Sequence, residues 1–446
     1  MYTVTTMANK INLNPLAEEL NAILSQSLAG QFLSDLGTRL YFPKGIIAQS
    51  GEAKKHSKIA NATIGMAVKN GKPLILNALK DQLPGFESQE IVAYSPTAGI
   101  EELRKEWRDA IIRKNPSLKG VSMSLPVLVP GLTAGLSYLS DLFLGEDSVL
   151  LTGNPAWDNY VLIVEARRNS RLKGFSLFKD NGFDIAGFEA TVKEEAKSGT
   201  VRMLLNFPQN PSGYTPTKRE TAEIVRVLME TADSGAKIMV WSDDAYFGLD
   251  YEDDIEPESL FAKLANAHEN ILAIKIDGPT KEDYVWGLRT GFITFASKGM
   301  KEEHYDALIK KLMGAIRSSV SCAATPSQSL MLHMLGHPES EAEKTEFRKL
   351  LEERYRVVRK FIDAHKDHPV LSALPFNSGY FMSMKCTGVG AEELRVKLLH
   401  DHGIGTIAID SSHLRVAFSS VDTEKLEMVF EVIFQTAIKI VETKNR

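Results

Sequence analysis

Cysteine is scarce in this chain, which has only Cys322 and Cys386 among its 446 residues. A fold built on disulfide bonds is therefore excluded, and a reducing compartment is expected. Long apolar stretches are missing too, since no run approaches the roughly 18 residues of a membrane-spanning helix. Basic residues are not in excess, because 52 Lys and Arg face 57 Asp and Glu and leave a formal charge of −5. Neither a membrane nor a nucleic acid is therefore expected as a partner.

The sequence also lacks the common signatures of nucleotide, metal and redox sites. It contains no G-x-x-x-x-G-K-[ST], no G-x-G-x-x-G after a predicted strand, no H-E-x-x-H and no C-x-x-C. His365 and His368 could share a helix face, as could His333 and His337, but neither pair has a third ligand nearby, so we expect no metal site. Residues 1–6 carry neither the basic nor the apolar part of an export signal, and we expect a cytoplasmic location.

What the chain does contain is an alternation of predicted strands and helices, in a composition that is 43% hydrophobic and 24% charged. Such alternation predicts an α/β fold with a mostly parallel central sheet between layers of helices. The apolar runs that predict strands are Pro126–Val129, Val149–Leu151, Met203–Leu205, Ile238–Trp241, Ile271–Ile276 and Phe292–Phe295. Between them, Thr217–Asp233 reads as a helix with a capping box formed by Thr217 and Glu220.

The two ends of the chain predict something different. The first ~60 residues carry no sharp motif and read as a helical arm. The C-terminal part predicts a smaller α+β domain, in which residues 339–360 form a long solvated helix. Its other predicted features are helical pattern from Ser327 to about His365, a glycine-bearing run at Asn377–Phe381, a helix at Ala391–His402, a strand near Leu414–Phe418 and a helix from Thr423.

Two local clusters follow predicted strands and contain glycine. Val129–Gly135 runs from a strand through a glycine turn into a helix, a junction that points backbone N–H groups at one spot and suits a phosphate. Asn206–Gly213 contains Asn-Pro-Ser-Gly, which is most often a turn. Its Asn210 amide could also donate to a ligand.

Two further clusters carry charge. Trp241–Tyr246 ends an apolar strand with Asp243 and Asp244, at a place where ligands bind in open α/β sheets. A helix N-cap is the other reading of either acid. Gly278-Pro279-Thr280-Lys281 is followed by Gly287-Leu288-Arg289-Thr290-Gly291, and either cation alone would usually be a surface residue.

Taken in this order, the four clusters resemble the pyridoxal-phosphate (PLP) enzymes of fold type I, specifically the class I/II aminotransferases that include aspartate aminotransferase. The resemblance covers roughly Ile64 to Phe418. It implies a large PLP-binding domain at residues 70–320 and a small domain built from residues 1–69, with the N-terminal arm, and 321–446. It also implies a homodimer with its sites at the interface.

The resemblance assigns the cofactor ring to five residues. Lys281 would hold the cofactor as a Schiff base and then act as general acid/base. Asp243, favoured over Asp244 by the Asp-x-Ala-Tyr spacing, would pair with the ring nitrogen. Tyr246 and Asn210 would donate to the 3′ oxygen, and Trp157 would stack on the ring, although core packing is its ordinary role.

Phosphate and substrate are assigned in the same way. The residues expected at the phosphate are Gly131, Leu132, Thr133, Thr280, Arg289 and, from the neighbouring subunit, Tyr94. Arg415 would grip the substrate α-carboxylate with help from Asn210, while Gly65 and Trp157 would lie beside the substrate.

The chain departs from the family pattern at two places. Gly278 stands where the family usually has a phosphate-binding serine, so one donor is lost. Glu282 and Asp283 follow Lys281 where neutral residues are common, and they would raise the pKa of that lysine unless they point away.

The implied activity is a ping-pong transfer of the α-amino group of an amino acid to a 2-oxo acid. The alternative is a lyase, decarboxylase or synthase of the same fold, because these enzymes use the same cofactor chemistry.

Overall fold

The protein is described by a computed structural model. The residues that it describes are 12–24, 46–63, 65, 67–70, 72–74, 76–80, 85–86, 90–91 and 93–444. Much of the predicted N-terminal arm and Ile64 lie outside these residues.

A seven-stranded sheet forms the centre of the larger part. Its strands are β1 (Val127–Val129), β2 (Val149–Asn154), β3 (Arg171–Ser176), β4 (Thr200–Asn206), β5 (Lys237–Asp243), β6 (Ile271–Asp277) and β7 (Gly291–Ala296). The spatial order is β1-β7-β6-β5-β4-β2-β3, and β7 is antiparallel to both of its neighbours while the other pairings are parallel. The predicted mostly parallel sheet is confirmed.

All six predicted strands belong to this sheet, but β3 was not predicted. It is an edge strand on which most side chains remain partly or fully exposed. Arg171, Lys173 and Gly174 interrupt its apolar residues, so the strand lacks the apolar run by which the others were recognised.

Helices cover both faces of the sheet. Successive residues of β4 show this, because Met203 and Leu205 lie in one buried cluster and Leu204 lies in another. The helices of ten or more residues in the described ranges are α1 (Pro15–Leu24), α2 (Ile46–His56), α3 (Glu101–Lys114), α4 (Leu132–Phe143), α5 (Ile185–Ala196), α6 (Lys218–Asp233), α7 (Glu302–Arg317), α8 (Thr325–Gly336), α9 (Ser340–Ala364), α10 (Ala391–His402) and α11 (Thr423–Lys444). Thr217 and Glu220 form the predicted capping box of α6.

A smaller antiparallel sheet lies near the C-terminus. Its strands are β8 (Leu371–Ala373), β9 (Met382–Cys386), β10 (Ile407–Ala408) and β11 (His413–Val416), in the spatial order β8-β9-β11-β10. N-terminal residues join this part, since Ala60–Asn61 pairs in parallel with Ile404–Gly405.

The prediction that residues 339–360 form a solvated helix is wrong in one respect. The helix α9 exists, but Leu351, Tyr355 and Val358 on one face are buried in the core of the smaller part. Most of its charged residues lie on the other face, although Arg354 is buried as well, so α9 is amphipathic.

Short elements complete the described ranges. They are the helices Asn77–Lys80, Asn159–Val161, Leu260–Leu264 and Pro279–Glu282, the π turn Leu162–Ala166, the 3₁₀ turns Pro116–Leu118, Trp286–Leu288 and Phe418–Ser420, and the paired strands Val68–Lys69 with Lys72–Pro73 and Phe178–Lys179 with Gly182–Phe183. The domain boundaries given above stay a prediction. No helix in the described ranges is both long and apolar enough to cross a membrane.

Candidate active site

Lys281 lies on the short helix Pro279–Glu282, directly after β6. Its Nζ is 4.8 Å from the centre of the Tyr246 ring. Burial lowers the pKa of Lys281 to about 8; Asp243 acts in the opposite direction, and Arg289 adds to the lowering. A substantial fraction of this amine is therefore neutral near physiological pH, as a nucleophile or base requires.

Asp243 is the last residue of β5 and is buried. The Tyr160 hydroxyl donates to its Oδ2 at 2.6 Å, and the Ala245 N–H donates to its Oδ1 at 3.2 Å. Burial raises the pKa of Asp243, while the bond from Tyr160 and the charge of Lys281 act against that rise. The carboxylate is thus fixed in orientation by two donors.

The neighbouring acid, Asp244, has different partners from Asp243. Its Oδ2 accepts a hydrogen bond of 2.6 Å from the Ser259 hydroxyl and pairs with the buried Lys275 ammonium. Because this carboxylate is already matched by a buried cation, Asp243 is the acid that remains for a ligand. The spacing argument for Asp243 therefore gains support from geometry.

The N-terminus of α4 and Arg289 meet at Gly131. The first N–H groups of a helix lack intrahelical partners, and no side chain caps this one. A Cβ on Gly131 would lie 2.5 Å from Nη2 of Arg289, and its φ is +90°. Gly131 thus leaves room for the guanidinium beside the N–H groups of Leu132 and Thr133, an arrangement whose chemistry suits an anion.

Gly278 is close-packed on the side where a side chain would grow. A Cβ there would lie 2.9 Å from both the Leu132 Cδ1 and the Thr290 carbonyl oxygen. This close packing leaves no room at position 278 for the serine that the family usually has there. Thr280, the remaining hydroxyl of this segment, is buried.

Arg415 on β11 is a buried cation that faces the same region. Its Nη1 donates to Asn210 Oδ1 at 2.9 Å, its Nη2 to the Thr63 carbonyl at 3.4 Å, and its guanidinium lies 4.2 Å from the centre of the Phe381 ring. Its Nε is buried without a hydrogen-bond partner. Burial lowers the pKa of Arg415 to about 10. The arrangement leaves donor capacity for an anionic ligand.

Of three other predicted residues, Trp157 and Gly65 lie against aromatic rings and Tyr94 is exposed. Trp157 is partly buried, and its ring meets that of Tyr160 edge-on at 5.4 Å. Gly65 lies against the rings of Phe381 and Tyr246, where an added Cβ would be 3.3 Å from Phe381. Tyr94 is 92% exposed.

Sequence reasoning missed three residues of the site. Tyr160 stands three residues after Trp157, but its partner Asp243 is 83 residues further along the chain. Tyr380 donates to the Lys281 carbonyl oxygen at 3.1 Å. Phe381 stacks under Arg415. The run Gly379-Tyr380-Phe381 had signalled a special segment, but no local pattern showed what its rings contact.

Known proteins share this fold. The structure of an aminotransferase from Anaerococcus prevotii superposes with a TM-score of 0.78 at 23% identity, over 89% of this chain and 97% of that one. A probable aspartate/prephenate aminotransferase from Aquifex aeolicus is 25% identical over 263 residues, which are 58% of this chain and 61% of the relative. An aspartate aminotransferase from a Bacillus species is 22% identical over 75% of this chain and 76% of its own length.

The alignment with the Aquifex protein thus spans less than two thirds of that relative's length. The sequence model of the family described as aminotransferase class I and II, in contrast, matches residues 66–433, which is most of the chain. The protein belongs to the class I and II aminotransferases.

Proposed function

We propose that this protein is a PLP-dependent aminotransferase that moves the α-amino group of an amino acid to a 2-oxo acid by a ping-pong mechanism. One arrangement carries the proposal: the Lys281 amine lies against the ring of Tyr246, with Asp243 and Arg289 as its charged neighbours. The charge of Arg415 in turn acts on Tyr246. The amine is therefore placed among one acid and two cations of defined position.

The residues present fit pyridoxal phosphate, which members of this family use. Gly131 and Arg289 offer backbone N–H groups and a guanidinium to a phosphate, and Asp243 offers a buried carboxylate to a protonated ring nitrogen. When bound, the cofactor supplies an aldehyde that condenses with amines and a ring that accepts electrons.

The chain's own residues then have distinct tasks. Tyr160 keeps Asp243 oriented, and Tyr246 and Asn210 would donate to the 3′ oxygen of the ring when the cofactor is bound. Asn210 accepts from Arg415 through Oδ1, which leaves its Nδ2 free to donate there. Lys281 Nζ carries the proton that leaves or joins the substrate Cα, a task that its lowered pKa suits.

Arg415 orients the substrate through its α-carboxylate. The guanidinium is held from three sides by Asn210, Thr63 and Phe381, so little side-chain entropy remains to be lost on binding. A carboxylate bound at this guanidinium would also satisfy the orphaned Nε. Trp157 would pack against the cofactor ring, and Trp157 and Gly65 would lie beside the substrate.

We further propose a cytoplasmic homodimer in which Tyr94 of one subunit reaches the phosphate of the other. This proposal rests on the match of Tyr94 to the family tyrosine that contacts the phosphate of the neighbouring subunit, and its 92% exposure leaves the ring available for such a contact. Size-exclusion chromatography with light scattering tests the dimer. Mixing Lys281→Ala with Tyr94→Phe subunits tests the shared site, since hybrid dimers would contain one intact site.

The test of the activity is stoichiometry. An amino-donor screen should show one 2-oxo acid consumed for each amino acid formed, and Lys281→Ala should abolish turnover. Lys298→Ala, an exposed lysine after β7, is the matched control and should behave as wild type. Release of ammonia or carbon dioxide without consumption of a 2-oxo acid would instead identify a lyase or decarboxylase of the same fold. A product formed by other bond changes would identify a synthase.

A further inference from the structure

The turn that follows Lys281 carries two consecutive acids, Glu282 and Asp283, and the structure shows where each one points. Glu282 Oε1 pairs with Lys114 of α3 at 2.6 Å. Asp283 Oδ1 pairs with Lys344 of α9 at 2.9 Å. Each acid therefore points to a lysine on a different helix.

The Asp283–Lys344 pair is the more enclosed of the two. The side chains are 1% and 11% exposed, against 21% for Glu282 and 28% for its partner Lys114. Burial of an unpaired carboxylate is costly, so Asp283 depends on its partner far more than a surface acid would. The Lys344 ammonium is also held by Glu341 at 2.5 Å.

The same turn contacts the smaller part of the protein at two further points. The Tyr380 hydroxyl donates to the Lys281 carbonyl oxygen at 3.1 Å. The ring of Tyr284 meets that of Phe347 on α9 edge-on, with centroids 5.0 Å apart. Three of the four residues from Lys281 to Tyr284 are thus attached to α9 or to the segment leading into β9.

We propose that Lys344 is a positioning residue for Lys281: its pair with Asp283 fixes the turn 281–284 against α9 and neutralises the carboxylate that lies two residues from the reactive amine. The inference rests on the proposed role of Lys281 as the cofactor lysine. It explains how the pKa of this lysine can stay below its ordinary value although two acids follow it in the chain.

Several charged groups surround the turn, and a test has to distinguish the effect of Lys344 and Asp283 from the effects of the others. Asp283 faces Lys344 from α9, and the turn also lies within reach of Arg348. Glu282 with Lys114 and Glu341 complete its surroundings, while the Lys281 amine itself responds to Asp243 and Arg289. Substitutions of Lys344 and Asp283 leave all of these other groups in place.

Lys344→Met removes the cation and leaves the carboxylate. The unmatched negative charge should raise the pKa of Lys281, by about half a unit or more. Asp283→Asn removes the acid and leaves the cation, so it should move the same pKa downward. The double variant should return it close to the wild-type value. Lys349→Met, on the exposed side of α9, is the control and should leave it unchanged.

The measurement is a pH titration of the absorption of the lysine-bound cofactor, which reports protonation of the same Lys281 nitrogen within the Schiff base and should shift in the same directions. Urea unfolding is recorded in parallel. A purely structural pair would lower the unfolding midpoints without moving the pH midpoints in opposite directions, and that result would overturn the proposal.

Borohydride reduction followed by peptide mapping tests separately whether Lys281 is the lysine that holds the cofactor. If the cofactor is fixed to a residue other than Lys281, the proposed function of Lys281 fails. If it is fixed to Lys281 and the midpoints do not move, only the role of Lys344 fails.

Discussion

The hydroxyl of Tyr160 donates a 2.6 Å hydrogen bond to Oδ2 of Asp243, although Tyr160 follows β2 and Asp243 is the last residue of β5. β2 and β5 both end at the same edge, so their C-terminal ends place the donor beside the acid. The bond favours the ionised form of a carboxylate that burial would otherwise tend to neutralise.

Tyr160→Phe should therefore weaken cofactor binding. The loss of a hydrogen bond to a charged group costs about 1.5–3 kcal/mol, which is about 10-fold to 150-fold in affinity. Fluorescence titration of the apoprotein with pyridoxal phosphate measures this. Tyr138→Phe is the control, because it removes the hydroxyl of another buried tyrosine, which lies on α4 and bonds to Ser319. Equal effects of the two substitutions would contradict the role of Tyr160.

Gly131→Ala should lower cofactor affinity by more than its effect on folding explains. The new Cβ would meet the Arg289 guanidinium at 2.5 Å and displace it from the helix N-terminus. Gly120→Ala has a similar φ of +81° with nothing within 4 Å, so it carries the backbone strain of about 1–2 kcal/mol without the collision. Isothermal titration with pyridoxal phosphate, beside urea unfolding, separates the two effects.

Gly278→Ser should not restore a phosphate donor. Its Cβ would meet Leu132 and the Thr290 carbonyl at 2.9 Å, and overpacking of this kind costs about 1–3 kcal/mol. We expect a lower free energy of unfolding and no gain in cofactor affinity. Gly287→Ser, which has open space around it, should change neither. Tighter cofactor binding by the Gly278 variant would show that the site can accommodate the serine.

Arg415→Lys should raise KM for every amino donor by about 10-fold to 100-fold. A lysine cannot reproduce the two-pronged contact of a guanidinium, and the loss of one charge-assisted hydrogen bond costs about 1.5–3 kcal/mol. All donors are affected because all carry the α-carboxylate. Steady-state kinetics with several donors tests this, and an effect confined to one donor would assign Arg415 to side-chain recognition instead.

The lowered pKa of Lys281 predicts a pH dependence of stability in the apoprotein. Its pKa is about 8 in the folded chain against an ordinary value of 10.5, so between these values the unfolded chain binds more protons and stability rises with pH. Lys281→Met removes this contribution. The variant should be more stable than wild type by about 3 kcal/mol below pH 8, with the difference shrinking toward pH 10.5. Urea unfolding across this range measures it, and a constant difference would argue against the lowered pKa.

The sequence predicted the sheet well because central strands are buried on both faces and read as apolar runs. Val149–Leu151 and Ile271–Ile276 are examples, and both lie within observed strands. The edge strand β3 could not be found in this way, since one-sided burial leaves a mixed pattern. The amphipathic nature of α9 was hidden by its many charges, which dominate the composition and mask its buried face.

The site was predicted only as far as local motifs extend. Lys281 and Asp243 were predicted as site residues because each stands in a short pattern at the end of a strand. The partners that determine their chemistry lie far away in the sequence, as Tyr160 does for Asp243 and Lys344 does for Asp283. Whether Glu282 and Asp283 would face the amine was likewise undecidable from the sequence, because the answer depends on helices packed against the turn.

Asp243 and Asp244 are adjacent in sequence, yet one faces Lys281 and the other pairs with Lys275. Asp243 ends β5 and Asp244 is the first residue after it, and because side chains alternate along the extended chain the two acids point to different partners. A shift of one residue in β5 would exchange them, giving the ligand side an acid from the wrong position and leaving Lys275 to face its neighbour. The register of this strand, as much as the identity of either acid, decides which chemistry the chain can perform, and an insertion or deletion within β5 would remove function while sparing every residue of the motif.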